Sequence, residues 1–376
     1  MPLLRDLAIG QYFATVTDPR VERTKDHALL DIIIIAISAV ICGADGWVDV
    51  EEFGTSKHAW LSTFLDLPNG IPSHDTFGRV FARIDPEQFQ RGFLAWVQAI
   101  QQVHGDVIAI DGKTHRRSHD HANGKAALHL VSAWAAENRL VLGQVAVDDK
   151  SNEITAIPLL LDLLDLRGAT ITIDAMGCQT AIAEQIVRGG GNYVLALKAN
   201  QPTMHADVAA LFNDARAAQQ AEYGMTRATS VDVAHGRTEI RHAFVISAPS
   251  AIAYLNERQR WANLQSVVLI EAERSLGEVT STEQRYYLLN QVVDAPMANL
   301  LVRGHWGIEN RVHWVLDVTF HEDASRIRSG DAPQNMGVLR HIALNLLRQE
   351  PRKGSLKTKR FRAALDETYL ATVLGL

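Results

Sequence analysis

Two short stretches decide the fold: DVIAID at residues 106–111 and ATITID at residues 169–174. Each is a run of small or β-branched residues that ends in an acid, Asp111 or Asp174. Short apolar runs of this kind predict buried strands, and a charged residue directly after such a run is expected at the rim of the sheet, where ligands of open α/β sheets gather. If the two strands are neighbours, their carboxylates converge there.

The sequence around these stretches alternates between strand and helix patterns. Residues 128–148 predict two strands joined by a turn near Glu137 and Asn138, and residues 154–166 predict a helix. Beyond Asp174, TAIAEQIVR at 180–188 predicts a helix closed by three glycines, and NYVLALK at 192–198 predicts a further strand. This order implies a mixed sheet flanked by helices, an α/β fold.

The rest of the chain has a different character. The first hundred residues are mostly helical in pattern, with Ser73 placed as an N-cap. The apolar run LLDIIIIAISAVIC at 29–42 fits a buried helix or a buried strand, and periodicity does not separate the two. We therefore divide the chain into a helical N-terminal domain, the first part of the core, a mainly β insertion, the helical remainder of the core and a basic C-terminal tail, at residues 1–102, 103–201, 202–295, 296–350 and 351–376.

Composition limits the function classes. The chain has 376 residues, 47% of them hydrophobic, and two cysteines without paired spacing. That excludes a disulfide framework and a cysteine-rich zinc module, and it suits a reducing compartment. The N-terminal residues lack a basic stretch followed by an apolar one, and the 29–42 run is shorter than a membrane span. We expect a cytoplasmic protein that does not enter a membrane.

The net charge of −6 does not favour a general nucleic-acid binder, but basic residues cluster locally. One cluster follows Asp111 and includes Lys113, Arg116 and Arg117. Another lies near the C-terminus, from Arg352 to Arg362, and is either a solvated terminal segment or a phosphate contact.

Converging carboxylates need protons or cations. Two of them at about 4 Å repel by roughly 4 kcal/mol at an effective dielectric constant near 20. Oxygen-only ligands indicate Mg²⁺, with Mn²⁺ as a substitute, and two such ions can activate a water or a 3′ hydroxyl for in-line phosphoryl displacement. For either aspartate alone, a turn or cap residue is the simpler interpretation.

A third acid is expected in RGHWGIENRVHWVLDVTFHED at 303–323. Glu309 lies in a helical stretch of this segment, and Asp317, two turns further on, is its rival. The spacing of His305, Glu309, His313, Asp317 and His321 by four also suggests zinc, but a drift of about 40° per step prevents all five from facing one ion.

Several long segments resemble a known family. AIDGKTHRRS, ITIDAMGCQ, NYVLALKANQP, HGRTEIR and the 303–323 segment are similar to insertion-sequence DDE-type transposases of the H-repeat-associated branch. GADGWVDVEEFG and GIPSHDTFGRVF resemble the N-terminal domain of that family. The resemblance extends from about Asp18 to Arg348.

The resemblance implies a ribonuclease-H-like catalytic core with Asp111, Asp174 and Glu309 as catalytic and metal-binding residues. It further implies two Mg²⁺ ions, 3′-end cleavage and strand transfer on double-stranded DNA, with terminal inverted repeats and target DNA as partners of a homodimer. An inactive or host-adopted DNA-binding or nuclease relative is the alternative. The Tyr, Arg and Lys that related transposases carry around the third acid are absent: the matching positions are Val302, His305 and Leu316.

Further residues are candidates for DNA contact. The first group could bind phosphate or could be loop and strand-exit residues: Lys113, Arg116, Lys198, Asn200 and Gln201. The second group could contact DNA or could be exposed strand residues paired with Glu239: His235, Arg237 and Arg241. The third group has rings that could stack on a displaced base or could belong to the core: Trp306 and Trp314.

Overall fold

The two aspartate-terminated stretches form neighbouring parallel strands in the centre of one large sheet. The structure, a computed structural model, describes residues 9–100, 106–119, 127–147, 152–217, 223–234, 237–257, 260–276 and 279–376. His235, one of the predicted DNA contacts, lies outside these residues.

The strands are β1 (Val107–Thr114), β2 (His129–Ala135), β3 (Leu140–Val147), β4 (Thr170–Ile173), β5 (Asn192–Leu197), β6 (Thr226–Ala234), β7 (Arg237–Ile246), β8 (Ser266–Leu276) and β9 (Val279–Leu289). The first seven helices are α1 (Gly10–Phe13), α2 (Leu29–Cys42), α3 (Trp47–Ser56), α4 (His58–Leu61), α5 (His74–Phe81), α6 (Pro86–Ile100) and α7 (Glu153–Asp162).

The remaining helices are α8 (Thr180–Arg188), α9 (Pro202–Ala217), α10 (Pro249–Leu255), α11 (Ala295–Ile308), α12 (Trp314–Thr319), α13 (Ala332–Gln349), α14 (Leu356–Leu365) and α15 (Glu367–Leu374). Two short 3₁₀ helices (Glu22–Thr24 and Glu322–Ala324) and one π-helical turn (Glu309–His313) complete the described elements.

The sheet has the strand order β3-β2-β1-β4-β5-β9-β8-β7-β6 within the described part of the chain. β1, β4 and β5 run parallel, while the hairpin strands β2 and β3 and the strands from β9 to β6 pair antiparallel. The predicted mixed sheet with flanking helices is thus confirmed. The four strands from residues 226–289 belong to this same sheet, because β9 pairs directly with β5.

Helices cover both faces of the sheet and create two apolar cores. On one face, Ile108 and Ile110 of β1 join the larger core, which includes α7 and the N-terminal helices. On the other face, Leu301 and Val302 of α11 pack over β5, β7, β8 and β9 in a smaller core, with Val107 of β1 at its margin. The alternation of side chains along β1 therefore places Asp111 on the α11 face.

The apolar run at 29–42 is a helix, α2, and not a strand. From Ile32 to Ile41 its residues are buried, and α13, α14 and α3 pack around it. A helix that is apolar on all sides is stable where it is surrounded by protein, and this offsets the strand preference of its β-branched residues. Ser73 caps α5 as predicted, accepting a hydrogen bond from the Thr76 backbone N–H at 3.4 Å.

The basic C-terminal segment is folded, which differs from the solvated terminal segment that was one of its two interpretations. It forms α14 and α15, which pack against α2 and α13. Lys359 and Arg360 are buried, and both donate to main-chain carbonyls, including that of Leu347 at 2.9 Å and that of Val40 at 3.0 Å. Among the residues described, no single helix is long and apolar enough to cross a membrane, and α2 and α3, which reach that length only together, meet at a bend of 96°.

Candidate active site

Asp111 and Asp174 lie side by side at the rim of the sheet. In the parallel pair of β1 and β4, Ile110 is opposite Ile173, and each aspartate is the next residue along its chain. Neighbouring strands are about 4.8 Å apart, so the register brings the two acids together as predicted. Asp174 Oδ1 accepts backbone hydrogen bonds from Met176 at 3.0 Å and from Gly177 at 3.3 Å, which fix the turn after β4.

Asp111 carries an unfavourable charge in this position. Its pKa is raised to about 7, mainly by burial and additionally by the negative charges of Asp174, Glu153 and Glu309, against a lowering contribution from a hydrogen bond with the Gly112 N–H. Near neutral pH this carboxyl is therefore partly protonated. A positive ion placed among these acids would favour its charged form.

Glu153 is an acid near the site that the sequence did not single out. It begins α7, and its Oε1 lies 2.8 Å from His129 Nε2 of β2. Both side chains lie beside Gly112, where a Cβ atom would overlap the Glu153 carboxylate. The glycine after Asp111 therefore allows α7 to approach β1 closely. Only the tertiary structure reveals this contact, because Glu153 follows Asp111 by 42 positions.

Glu309 is brought to the same rim by α11. This helix crosses β1 and β4, and the His305 ring lies 3.2 Å from Thr172 Oγ1 of β4. Gly304 and Gly307 bring it close to Val107 and Trp134. At Glu309 the α-helix becomes a π-helical turn, a geometry that often occurs at functional sites. Glu309 is exposed, and its charge contributes to the raised pKa of Asp111.

Asp317, the rival third acid, is engaged elsewhere. Its carboxylate accepts a hydrogen bond from the Lys113 ammonium. Glu309 takes part in no ion pair with any residue that the structure describes. Of the two candidates, Glu309 is therefore the one whose charge is available at the rim.

His313 is a second residue that sequence reasoning did not assign to the aspartates. Its Nδ1 lies 3.5 Å from Asp111 Oδ2, and its buried Nε2 has no hydrogen-bond partner in the described chain. The pKa of His313 is lowered to about 4, mainly by burial and additionally by the charge of Lys113. The ring is therefore neutral at pH 7. The four-residue spacing from His305 to His321 predicts His313 only as a zinc ligand.

The acidic side chains at the rim suit divalent metal ions by their chemistry. Asp111, Asp174, Glu153 and Glu309 supply oxygen atoms only, which suits Mg²⁺ or Mn²⁺. Their mutual repulsion at a partly buried rim also favours a cation. In the described ranges, however, no three His, Cys, Asp or Glu side chains already lie within reach of one ion, and this applies equally to the zinc series. The donors fit by chemistry, and binding requires side-chain closure around the ion.

A cleft lined by arginines begins beside Glu309. Its volume is about 310 Å³, and it lies between α11 and one face of β7, β8 and β9. Alternation along the strands and the cross-strand register bring its basic side chains to this face: Arg237, Arg241, Arg274 and Arg285. Glu239 is buried among three of them, 2.6 Å from Arg241, 3.7 Å from Arg237 and 3.8 Å from Arg274.

The two tryptophans of the 303–323 segment differ. Trp306 lines the cleft, and the Arg285 guanidinium lies 4.6 Å from its ring centroid. Trp314 is 59% exposed, so the interpretation as a core aromatic residue is wrong for this residue. Val302 and Leu316, at positions where related transposases carry polar side chains, are buried and fill the core.

The other predicted DNA contacts have varied positions. Arg116 and Lys198 are exposed. Asn200 and Gln201 connect the loop after β5 to the loop that follows Asp174, since their side-chain amides donate to the carbonyls of Ala175 and, at 3.0 Å, Cys178. Lys113 is turned inward, towards acidic side chains.

Comparison with known proteins identifies the family. Residues 104–346 match the family described as "Transposase DDE domain", and residues 10–97 match its associated domain, "DDE_Tnp_1-associated". "Putative transposase YncI" of Escherichia coli O157:H7 is 40% identical over 97% of this chain and 93% of its own length. "H repeat-associated putative transposase YhhI" of Escherichia coli K12 is 37% identical over 97% of each chain.

Among solved structures, a piggyBac transposase synaptic complex with hairpin DNA overlaps 98% of this chain and 77% of its own, with a TM-score of 0.40 and 9% identity. A similarity this weak carries no argument. The sequence matches do, because they cover both the N-terminal helices and the aspartate-bearing sheet. The chain belongs to the family of transposases with a DDE domain, among relatives named H repeat-associated transposases.

Proposed function

We propose that this protein is an active, metal-dependent DNA transposase that cleaves the 3′ ends of its element and joins them to target DNA. The observation that supports the proposal is the register of β1 and β4, in which Asp111 and Asp174 directly follow the paired residues Ile110 and Ile173; in addition, the charge of Glu309 helps to raise the pKa of Asp111. The core order β3-β2-β1-β4-β5 also suits a ribonuclease-H-like catalytic core, and we propose that assignment with it.

Asp111, Asp174 and Glu309 are the residues that would hold divalent cations. Two Mg²⁺ ions, when bound, supply activation of a water or 3′ hydroxyl and stabilisation of the leaving oxygen. The neutral His313 ring keeps a hydrogen-bonding group beside Asp111 without adding a positive charge that would compete with a cation. The backbone N–H groups of Met176 and Gly177 hold the Asp174 carboxylate in position.

The arginine-lined cleft would hold one DNA strand next to these acids. Guanidinium groups bind phosphate with paired hydrogen bonds, and the Trp306 ring offers a flat surface to a base. Arg237 and Arg241 take this role in our proposal, with Arg274 and Arg285 beside them. The substrates are the terminal inverted repeats of the element and a target duplex, brought together by a homodimer in the cytoplasm.

The test is a cleavage and joining assay. Purified protein is incubated with Mg²⁺ or Mn²⁺, linear DNA carrying the inverted repeats that flank its gene, and a supercoiled target. We expect Asp111→Asn, Asp174→Asn and Glu309→Gln each to reduce 3′-end cleavage by roughly 10³-fold, because metal-assisted stabilisation of the transition state amounts to several kcal/mol. Glu184→Gln is the matched control, since Glu184 is an exposed acid paired with Arg188 on α8.

Each outcome distinguishes one hypothesis. Cleavage with joining supports the proposal. Binding without cleavage indicates an inactive DNA-binding relative, and cleavage without joining indicates a host-adopted nuclease. If folded Asp174→Asn cleaved at a rate close to that of Glu184→Gln, the metal assignment would be wrong.

A further inference from the structure

Lys113 forms buried ion pairs across the structure. It lies on β1, two residues beyond Asp111, and only 12% of its side chain is exposed. Its ammonium donates to the Asp317 carboxylate at the end of α12 and, at 2.6 Å, to Glu322 Oε2. Both acceptors belong to the segment that follows Glu309. One side chain of β1 thus holds the part of the chain that carries the third acid.

Glu322 is the inner acceptor and has further basic neighbours. It is 2% exposed, with His115 Nε2 at 3.4 Å and Arg340 Nη1 at 3.8 Å. Burial alone would raise its pKa, but the charges of His115, Lys113 and Arg340 hold that pKa well below its usual range. The carboxylate is therefore ionised, and the ammonium of Lys113 is its closest cationic partner.

The contacts along β1 follow the alternation of its side chains. Asp111 and Lys113 point to the same face, where His313 lies 3.5 Å from the first and Asp317 binds the second. Glu309 precedes Asp317 by about two helical turns, roughly 12 Å of helix. A segment fixed at its far end by Lys113 and near its middle by His313 has little freedom to move Glu309 away from the rim.

We propose that Lys113 is a positioning residue for the transposase reaction: it fixes the segment from Glu309 to Asp323 against β1 and so directs Glu309 toward Asp111 and Asp174. The inference rests on the proposed function of those three acids. It replaces a direct phosphate contact by Lys113, because this ammonium is turned away from solvent and already forms ion pairs with three carboxylates, those of Asp317, Glu322 and, at 4.0 Å, Asp323. Arg188 on α8 is 72% exposed, lies outside this segment and is the matched basic residue for comparison.

The experiment compares Lys113→Met, Lys113→Arg and the control Arg188→Gln in the full-length protein. Amide hydrogen exchange without DNA or metal reports on residues 309–323. We expect exchange there to be at least about 10-fold faster in Lys113→Met than in wild type, since local stability depends on such contacts. Cleavage should fall about 10²-fold, the loss expected from a small misplacement of a catalytic group, and Lys113→Arg should recover part of both.

DNA affinity measured against salt concentration separates positioning from phosphate contact. We expect Lys113→Met to keep the wild-type affinity and salt dependence. A uniform loss of affinity, with a salt slope smaller by about one unit and unchanged exchange at 309–323, would mean that Lys113 contacts phosphate, and it would overturn the proposal.

Asp317→Asn is a second variant in case Lys113→Met does not fold, because it removes the negative charge that pairs with Lys113 from a side chain that is 31% exposed. It should accelerate exchange at 309–323 in the same direction, and wild-type exchange in this variant would refute the inference. Exchange is measured without catalysis. A wild-type protein that fails to cleave DNA therefore counts against the proposed function, while the exchange result still decides whether Lys113 fixes the segment.

Discussion

Two clusters of charge lie only two residues apart on β1, and they differ in whether their charges are balanced. At the rim, Asp111 is surrounded by other acids and its pKa is raised to about 7 by burial and by those acids. Deeper in the structure, Glu322 is buried completely yet ionised, because Lys113, His115 and Arg340 surround it. Balanced buried charges hold elements together, whereas unbalanced ones favour binding of a counter-ion.

The largest change in stability is expected when the buried cluster of Lys113, His115, Arg340 and Glu322 loses its carboxylate. Glu322→Ala should reduce the free energy of unfolding by roughly 3 to 5 kcal/mol, because Lys113 and Arg340 would lose a buried counter-charge. Urea denaturation measures this, with Glu184→Ala as a surface control expected within about 0.5 kcal/mol of wild type. A loss below about 1 kcal/mol for Glu322→Ala would contradict the importance of the ion pairs.

A smaller change in the free energy of unfolding, of opposite sign, is expected from Asp111→Asn at the rim of the sheet. The folded-state pKa of Asp111 is raised from 3.8 to about 7. Between these values the folded state binds more protons than the unfolded state, so Asp111 makes the protein less stable as pH rises through this window. Asp111→Asn should match wild type near about pH 4 and exceed it by roughly 2 to 4 kcal/mol near about pH 8, without divalent cations.

Denaturation curves of wild type and Asp111→Asn across this pH range provide the measurement. Added Mg²⁺ should reduce the difference at high pH, because an ion that binds only the folded wild-type site stabilises it by about 2.7 kcal/mol at 100 times its dissociation constant. Equal stability of the two proteins at all pH values would show that the rim charges do not repel as described.

The smallest effect concerns the arginine-lined cleft, where the charges are partly balanced by Glu239. Arg241→Gln should weaken DNA binding by about 3- to 10-fold and reduce the salt slope by about one, because one phosphate contact is lost among several. Fluorescence anisotropy at two salt concentrations measures both quantities. Arg188→Gln, on the exposed surface of α8, should leave them unchanged. An unchanged salt slope in Arg241→Gln would remove this arginine from the DNA interface.

Sequence reasoning identified those features of the fold that depend on local patterns. The apolar runs before Asp111 and Asp174 predicted the strands, whereas the sequence left their adjacency open and the register of β1 and β4 shows it. The helical state of α2 could not be derived, because it depends on elements from distant parts of the chain that surround it. The pairing of β9 with β5 is likewise non-local and leaves no signal in either strand.

The candidate site could be predicted only in part from the sequence, because its contacts also join distant parts of the chain. Lys113 looked like an exposed basic residue, and only the fold reveals its partners, Asp317 and Glu322, which follow it by about 200 positions. His313 was seen as part of a repeat of four, but its contact with Asp111 depends on how α11 crosses the sheet. The type of a residue indicates which interactions its side chain can form, and the residues around it in the fold determine which of these it does form.

The hydrogen bonds between β5 and β9 have a mechanical consequence. Four residue pairs, from Val194–Leu289 to Leu197–Tyr286, join the strands of the arginine-lined cleft to the strand beside β4. The cleft is therefore joined to the strand that precedes Asp174 by paired strands of one sheet. For a DNA-cutting enzyme of the proposed kind, this continuous sheet sets the distance between the bound DNA segment and the scissile bond, and so the number of base pairs between them, at about 3.4 Å per base pair.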